Sequence, residues 1–264
     1  MSKQSRYVQI IQHLFLERYT PGVEIVEFER EDIVRIANQL GVTLPKNLGD
    51  VIYSFRYRAA LPDVIIAHAP AGKSWVIMPR GVAKYAFVAT AFSTIVPNEL
   101  LSTVKIPDAT PNIIRRYALS DEQALLAVIR YNRLVDIFTG ITCYPLQSHL
   151  RTTVPEMGQV ETDELYVGVD QYGAHHVFPV QAKGGKDSVG IVQIAQDFAL
   201  CATKFPQLLC RPIAAQFMHN DVVALFSFVQ EDENVRLLNE RHYRLVPSEE
   251  LTEADLDQYR QIAT

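Results

Sequence analysis

Two apolar runs joined by a short glycine-containing turn occupy residues 158–187, and they constrain the fold more than any other stretch of the chain. The first run carries Glu161 and Asp163, and the second ends in Gln181-Ala182-Lys183. Because successive strand side chains point to opposite faces, the two acids share one face, as do the glutamine and the lysine. An antiparallel hairpin would bring these polar groups to one corner of a sheet. Burying polar groups there costs free energy, whereas burying apolar side chains would not. We therefore take this corner as the candidate site.

The charges at this corner favour a bound cation. Two carboxylates about 4 Å apart repel each other by about 4 kcal/mol at an effective dielectric constant near 20. A divalent ion or the ammonium of Lys183 would offset the repulsion, and without either one acid would stay protonated. The alternative is an ordinary hairpin with solvated acids, in which Lys183 extends past the sheet edge. Glu164 and Asp170 fall on the opposite strand face and are interpreted as solvent-exposed or turn residues.

The segments around this hairpin predict alternating helices and strands. One continuous helical stripe precedes it, formed by Ala124, Val128, Tyr131, Val135 and Phe138, and Gly140 ends the helix. A second helix follows the hairpin, and then come two apolar strands and an extended segment at 235–247. The predicted order of the second half is helix, strand, strand, helix, strand, strand.

The first 106 residues are predicted to form a separate domain. Three helices are followed by two β-rich segments, Asp63 to Ala67 and Ser74 to Met78, around a turn at 70–73. This order resembles a winged helix-turn-helix, with the third helix for recognition and the hairpin as the wing. The run Pro107-Asp108-Ala109-Thr110-Pro111 is interpreted as a linker, which gives domains at 1–106 and 112–264.

Basic and aromatic residues of the predicted third helix suit contact with DNA phosphates and grooves. Tyr53, Arg56 and Arg58 are therefore candidate DNA-binding residues. The alternative is a helical subdomain whose arginines are solvated or paired with acidic residues, namely Glu27, Glu29 and Glu31.

The order of elements in the second half, with acids on one strand and a polar-x-Lys at the end of the next, resembles the PD-(D/E)xK nuclease superfamily. The resemblance covers roughly residues 115–230 and implies an α/β (α+β) fold, a mixed sheet flanked by helices. Gln181 stands where a carboxylate is usual, as in the QxK variant of Mrr-type restriction nucleases, and no proline directly precedes Glu161 or Asp163.

The resemblance implies catalytic roles for Asp163, Gln181, Lys183 and Glu161. Asp163, Gln181 and Glu161 would hold Mg²⁺, with Mn²⁺ as a substitute, because magnesium prefers hard oxygen ligands. Lys183 would orient the attacking water or stabilise developing charge. Lys186, in the loop that follows, would contact the DNA backbone. Which acid is the principal metal ligand stays open.

The expected function is magnesium-dependent cleavage of double-stranded DNA by a type II-like restriction endonuclease. Cutting both strands suggests a homodimer, and a cognate DNA methyltransferase is a further partner consistent with this class. One alternative is a catalytically inactive DNA-binding regulator, with Gln181 marking a lost ligand. Another is a nucleotide or RNA phosphoesterase.

Composition sets broad limits on these interpretations. The net charge of −5 and the pI near 5.8 do not indicate nucleic-acid binding by themselves, although local patches matter more than the sum. No apolar run approaches the ~20 residues of a membrane span, and charged residues interrupt the N-terminal segment. We therefore expect a cytoplasmic protein with no membrane partner. The three cysteines include no CxxC pair, which argues against a structural zinc site.

Overall fold

A computed structural model describes residues 3–57, 59–117, 122–184, 187–219, 221–231 and 234–263. The chain forms two compact units. The first contains the residues up to Thr94, together with 152–160 and 190–199, and the second contains 95–151, 161–189 and the residues from Leu200 onward. The division at Thr94 differs from the predicted linker at 107–111, because residues 103–107 form a strand of the second unit's sheet.

The first unit combines helices with a small antiparallel sheet. Its elements in the described residues are α1 (Lys3–Arg18), β1 (Ile25–Glu29), α2 (Arg30–Gln39), α3 (Gly49–Tyr57), α4 (Asp63–Ile66), β2 (Ser74–Pro79) and β3 (Lys84–Thr90). The sheet order is β1-β3-β2, and both pairings are antiparallel. Phe15 lies at the centre of the core, where its ring meets Trp75 and Phe87 edge-on, with centroids 5.3 and 5.1 Å away.

The predicted strand at Asp63 to Ala67 is wrong, because this segment is the short helix α4. Pro62 precedes it, and the amides of Ile65 and Ala67 donate to the carbonyls of Pro62 and Asp63. Of the four helical residues only Ile65 is buried, which is not the alternating burial of a strand. The hairpin of this unit is instead β2–β3, in which Trp75 pairs with Ala89.

The second unit is built on one large mixed sheet with helices. The described elements that follow along the chain are β4 (Thr103–Pro107), α5 (Asn112–Tyr117), α6 (Glu122–Tyr131), α7 (Leu134–Thr139), β5 (Thr142–Val154), β6 (Gly158–Val169), β7 (His175–Lys183), α8 (Ile191–Lys204), β8 (Leu209–Cys210), β9 (Ile213–Phe217), β10 (Val222–Glu231), β11 (Asn234–Val246), a 3₁₀ turn (Ser248–Glu250) and α9 (Glu253–Ala263). Of these, residues 152–154 of β5, 158–160 of β6 and 191–199 of α8 belong to the first unit. The strand order is β4-β11-β10-β9-β7-β6-β5, and β8 pairs with β7. The coarse prediction of a mixed α/β fold is confirmed.

The hairpin predicted from the sequence is confirmed as β6–β7, which pair antiparallel from Val169 and His175 to Glu164 and Val180. After α8 the chain returns as β9, parallel to β7. One face of this sheet packs on α6 and α7, whose apolar side chains join a core with Phe178, Val180 and Ala182.

Two features of the second unit differ from the predicted order. The single helix of the stripe is two helices, because Arg133 adopts a left-handed conformation with φ of 52° between α6 and α7. Strand β5 is absent from the predicted order. It lies at the edge of the sheet and most of its side chains are exposed, so it lacks the apolar alternation by which a strand is recognised.

Candidate catalytic site at the end of the β6–β7 hairpin

The candidate site lies in the second unit, where the ladder between β6 and β7 stops. Its last residue pair is Glu164 and Val180. The next residue of β6, Asp163, accepts a 2.8 Å hydrogen bond at its Oδ2 from the backbone amide of Ala182. This side chain therefore uses a donor of the strand that carries Gln181 and Lys183.

Asp163 has a perturbed environment. Burial raises the pKa of its carboxyl above the ordinary value, and the nearby Glu122 carboxylate adds to that effect. The Ala182 amide and the charges of Lys183 and His149 act in the opposite direction without cancelling the raised pKa. A buried acid that is costly to ionise alone is typical of a site that receives a cation.

Lys183 forms an ion pair with Glu122, a residue of the first turn of α6 that the sequence did not indicate. The lysine side chain is mostly buried, and the glutamate side chain is 39% exposed. The contact brings α6 to the end of β7. In the sequence, Glu122 stands near the start of the predicted helix, and this position does not reveal which strand the side chain reaches.

Gln181 is almost fully buried, and its Nε2 donates a 3.0 Å hydrogen bond to the backbone carbonyl of Glu161. This bond ties β7 to β6 beyond the end of their ladder. The side chain adds a polar group to the site without adding a negative charge.

The carboxylate of Glu161 is engaged elsewhere. It accepts hydrogen bonds from Arg151 of β5, at 3.0 Å from Nε and 2.5 Å from the terminal nitrogen, and His149 Nδ1 lies 3.9 Å away. The side chain is 40% exposed. Glu122 and Glu161 are thus both ion-paired and similarly exposed. The charge of Glu122 raises the pKa of Asp163, so Glu122 is the better candidate for sharing a cation with that residue.

The interpretation of Glu164 as a solvent-exposed residue is wrong. Its side chain is buried beside β5 and α6, where it pairs with Arg130 and accepts a 2.8 Å hydrogen bond from the hydroxyl of Tyr166. Burial raises the pKa of Tyr166, and the Glu164 charge raises it further. Asp170, by contrast, is a turn residue that accepts from the amides of Tyr172 and Ala174.

The predicted DNA-binding residues of α3 differ in exposure. Tyr53 is 48% exposed, and its ring lies 4.9 Å from that of Tyr57. Arg56 stacks over the Tyr57 ring at 4.9 Å, but its Nε and Nη2 atoms are buried with no hydrogen-bond partner among the described residues. Arg56 is therefore only partly accessible, and its role in DNA binding stays a prediction. Arg58 and Lys186 lie outside the described residues.

The oxygen donors at the site suit a hard cation. Among the described residues, no three or more His, Cys, Asp and Glu side chains come together as a group able to hold a metal ion. Magnesium does not require such a group, because it binds through one or two carboxylates and completes its shell with waters and phosphate oxygens. Asp163 and Glu122 supply carboxylates, and Gln181 supplies an amide oxygen, so the donor set fits Mg²⁺ or Mn²⁺.

None of the described helices is long and apolar enough to cross a membrane. Comparison of the chain with protein-family models, with curated proteins and with solved structures finds no match.

Proposed function

We propose that this protein is a magnesium-dependent endonuclease that hydrolyses phosphodiester bonds of double-stranded DNA, of the type II-like restriction class. The observation that supports this best is the convergence of Asp163, Gln181 and Lys183 where β6 and β7 separate, with the Asp163 carboxylate bonded to the amide between the other two. A buried acid, a neutral amide and an ammonium are the groups that hydrolysis of a phosphodiester can use.

Each side chain has a distinct task in this proposal. Asp163 and Gln181 would hold the metal, with Glu122 as the further carboxylate in preference to Glu161. The bound metal would neutralise charge on the phosphate oxygens and lower the pKa of a water molecule. Lys183 would stabilise negative charge that develops on the phosphate, and its mostly buried position would make that interaction stronger than it would be in bulk water.

The first unit would supply much of the DNA affinity. Its helices and its β2–β3 hairpin, with β1 paired to β3, support the winged-helix interpretation. The exposed Tyr53 on α3 would contact the duplex. Cutting both strands would take two active sites, so a homodimer is part of the proposal, and a cognate methyltransferase would protect the host DNA.

The decisive test is cleavage of unmethylated plasmid and phage DNA by the full chain with magnesium, with manganese and with EDTA. Discrete metal-dependent fragments are expected, and Asp163→Asn should abolish them while DNA binding stays within about threefold of wild type, since a carboxylate that holds the metal contributes mainly to the chemical step. Full cleavage by that variant would overturn the assignment.

The second candidate is an inactive DNA-binding regulator. It is favoured by two observations: Gln181 is neutral where the superfamily usually has a carboxylate, and Lys183 is engaged by Glu122. Tight duplex binding that requires no metal, without cutting on any of the DNAs, would select it over the nuclease. Cleavage of RNA or nucleotides alone would select a phosphoesterase.

A further inference from the structure

A cavity of about 940 Å³ lies in the second unit. Polar side chains of β9 and β11 line it, namely Gln216, His242 and Arg244, and apolar side chains of the segment before β4 line it as well, namely Val96, Pro97 and Leu101. Its volume is within the range of small-molecule sites. It is distinct from the group formed by Asp163, Gln181 and Lys183, none of which lines it.

The strand register connects the cavity to the candidate catalytic site. Lys183 of β7 pairs with Gln216 of β9, Gln216 pairs with Ala224 of β10, and Ala224 pairs with His242 of β11. Residues paired in this way point to the same face of a sheet. Gln216 is therefore the immediate neighbour of Lys183 on that face, and Arg244, two residues beyond His242, lies on the same face.

Two polar atoms at this cavity are left without partners. The Oε1 atom of Gln216 and the Nε atom of Arg244 are buried and have no hydrogen-bond partner within the described part of the chain. His242 differs, since its Nε2 lies 2.8 Å from Glu240 Oε1. Native proteins rarely leave buried polar atoms unpaired, and a functional role is one of the reasons for which they do.

The chemistry of the lining indicates the kind of ligand. A glutamine amide and an arginine guanidinium together present hydrogen-bond acceptor and donor groups, and both side chains read base edges, arginine at guanine and glutamine at adenine. Apolar walls suit the faces of a flat ring. From these features we infer that the cavity binds a nucleobase, held at its edge by Gln216 and Arg244.

The base could belong to DNA or to a free nucleotide. Enzymes that act on DNA bases turn a nucleotide out of the stack into such a pocket. The DNA source rests on the proposed function, because it requires a duplex at the adjacent Lys183. The free-nucleotide source does not.

The test uses the full chain in EDTA and a plasmid fragment in which 2-aminopurine replaces part of the adenine. An unstacked 2-aminopurine fluoresces more strongly, so binding should raise the emission severalfold if a base enters the cavity. In parallel, saturation-transfer NMR with the four nucleoside monophosphates measures binding of free bases. Gln216→Leu and Arg244→Met remove the polar groups, and Gln230→Leu, at an exposed position of β10, is the matched control.

Losing a paired base contact is expected to weaken base binding by about tenfold or more, in the two cavity variants and not in Gln230→Leu. A rise in fluorescence that is lost in the two cavity variants supports a base from DNA. Binding of nucleoside monophosphates that is lost in the same variants supports a base from a free nucleotide. If neither signal depends on Gln216 or Arg244, the inference is overturned. Metal-dependent cutting is measured on separate aliquots of the same proteins with magnesium in place of EDTA, so a nuclease without base binding and a base-binding protein without nuclease activity are distinguished.

Discussion

The carboxylate of Asp163 accepts a 2.8 Å hydrogen bond from the backbone amide of Ala182, the residue between Gln181 and Lys183. In a continuous ladder that amide would serve a backbone carbonyl. Here it fixes an acid of β6 against the strand that carries the amide and the ammonium. The site is therefore positioned by the sheet and not by a loop, and its geometry depends on the backbone as much as on the side chains.

The first prediction concerns the pH dependence of stability. Burial raises the pKa of Asp163 above its ordinary value of 3.8, so the folded state keeps this proton to a higher pH than the unfolded state. Its stabilising contribution is therefore fully present below 3.8 and is lost as the pH rises through the folded pKa. Asp163→Asn keeps the acceptor for Ala182 and removes this loss. Thermal unfolding in EDTA should show the variant more stable than wild type at pH 8, by a margin that shrinks as the pH falls toward 3.8.

A wild-type protein that is the more stable of the two at pH 8 would contradict this prediction. Asp257→Asn is the control, because this acid lies on the surface of α9 with its side chain 63% exposed and should show no such margin.

The second prediction separates the two glutamates beside the site. Glu122 pairs with Lys183, whereas Glu161 pairs with Arg151. Glu122→Gln should lower the rate of metal-dependent cleavage by about 100-fold, the usual cost of removing one electrostatic group of an active site. Glu161→Gln should leave it within about threefold of wild type, because breaking an exposed ion pair costs less than about 1 kcal/mol. The measurement is the single-turnover rate on a plasmid substrate, and the reverse order would make Glu161 the ligand.

The third prediction concerns the ion pair between the buried Glu164 and the half-exposed Arg130. The Glu164 side chain is 1% exposed, whereas that of Arg130 is 45% exposed. Arg130→Met strands a buried carboxylate and should destabilise the unit by about 3–5 kcal/mol. Glu164→Gln should cost less, because water can solvate the guanidinium and the amide still accepts from Tyr166. Urea unfolding measures both variants.

The double variant Arg130→Met, Glu164→Gln is the control for this pair. It should recover part of the loss, since no unpaired charge then remains buried. If Glu164→Gln is the more destabilising of the two single changes, the cost of burying an unpaired carboxylate does not determine how much this ion pair stabilises the fold.

The fourth prediction concerns the surface of α3. Tyr53→Ala should weaken duplex binding by about tenfold, because a hydrogen bond from its hydroxyl to a charged phosphate contributes about 1.5 kcal/mol. Arg56→Met should change the free energy of unfolding by less than about 1 kcal/mol, because its buried Nε and Nη2 make no hydrogen bonds that would be lost. Fluorescence anisotropy and thermal unfolding test the two. A larger loss of DNA affinity in Arg56→Met than in Tyr53→Ala would place the guanidinium at the interface.

The sequence predicted the hairpin of the site because β6 and β7 are apolar runs bounded by a turn. It could not predict the partners of their polar residues. Glu122 and Lys183 meet only because α6 packs over the sheet, and no local pattern records that packing. Glu164 looks like any exposed glutamate until Arg130 and Tyr166 are placed around it.

The other differences have local causes. Val64, Ile65 and Ile66 are β-branched and favour a strand at the position of α4, yet Pro62 and the following turn favour one short helix. Strand β5 carries no apolar alternation, since its edge position leaves most of its side chains in water. Arg133 interrupts a periodic helical stripe by its backbone conformation alone.

Strand β4 pairs in parallel with β11, a strand from much later in the chain, and Lys105 of β4 also reaches Tyr259 and Asp255 beyond it. Closing so long a loop costs chain entropy before any stabilising contact between β4 and β11 forms. During synthesis β4 must therefore wait for most of the polypeptide to emerge from the ribosome. We expect the last kinetic phase of refolding to be the docking of this edge, and a chain stalled before β11 to expose strand edges that favour aggregation.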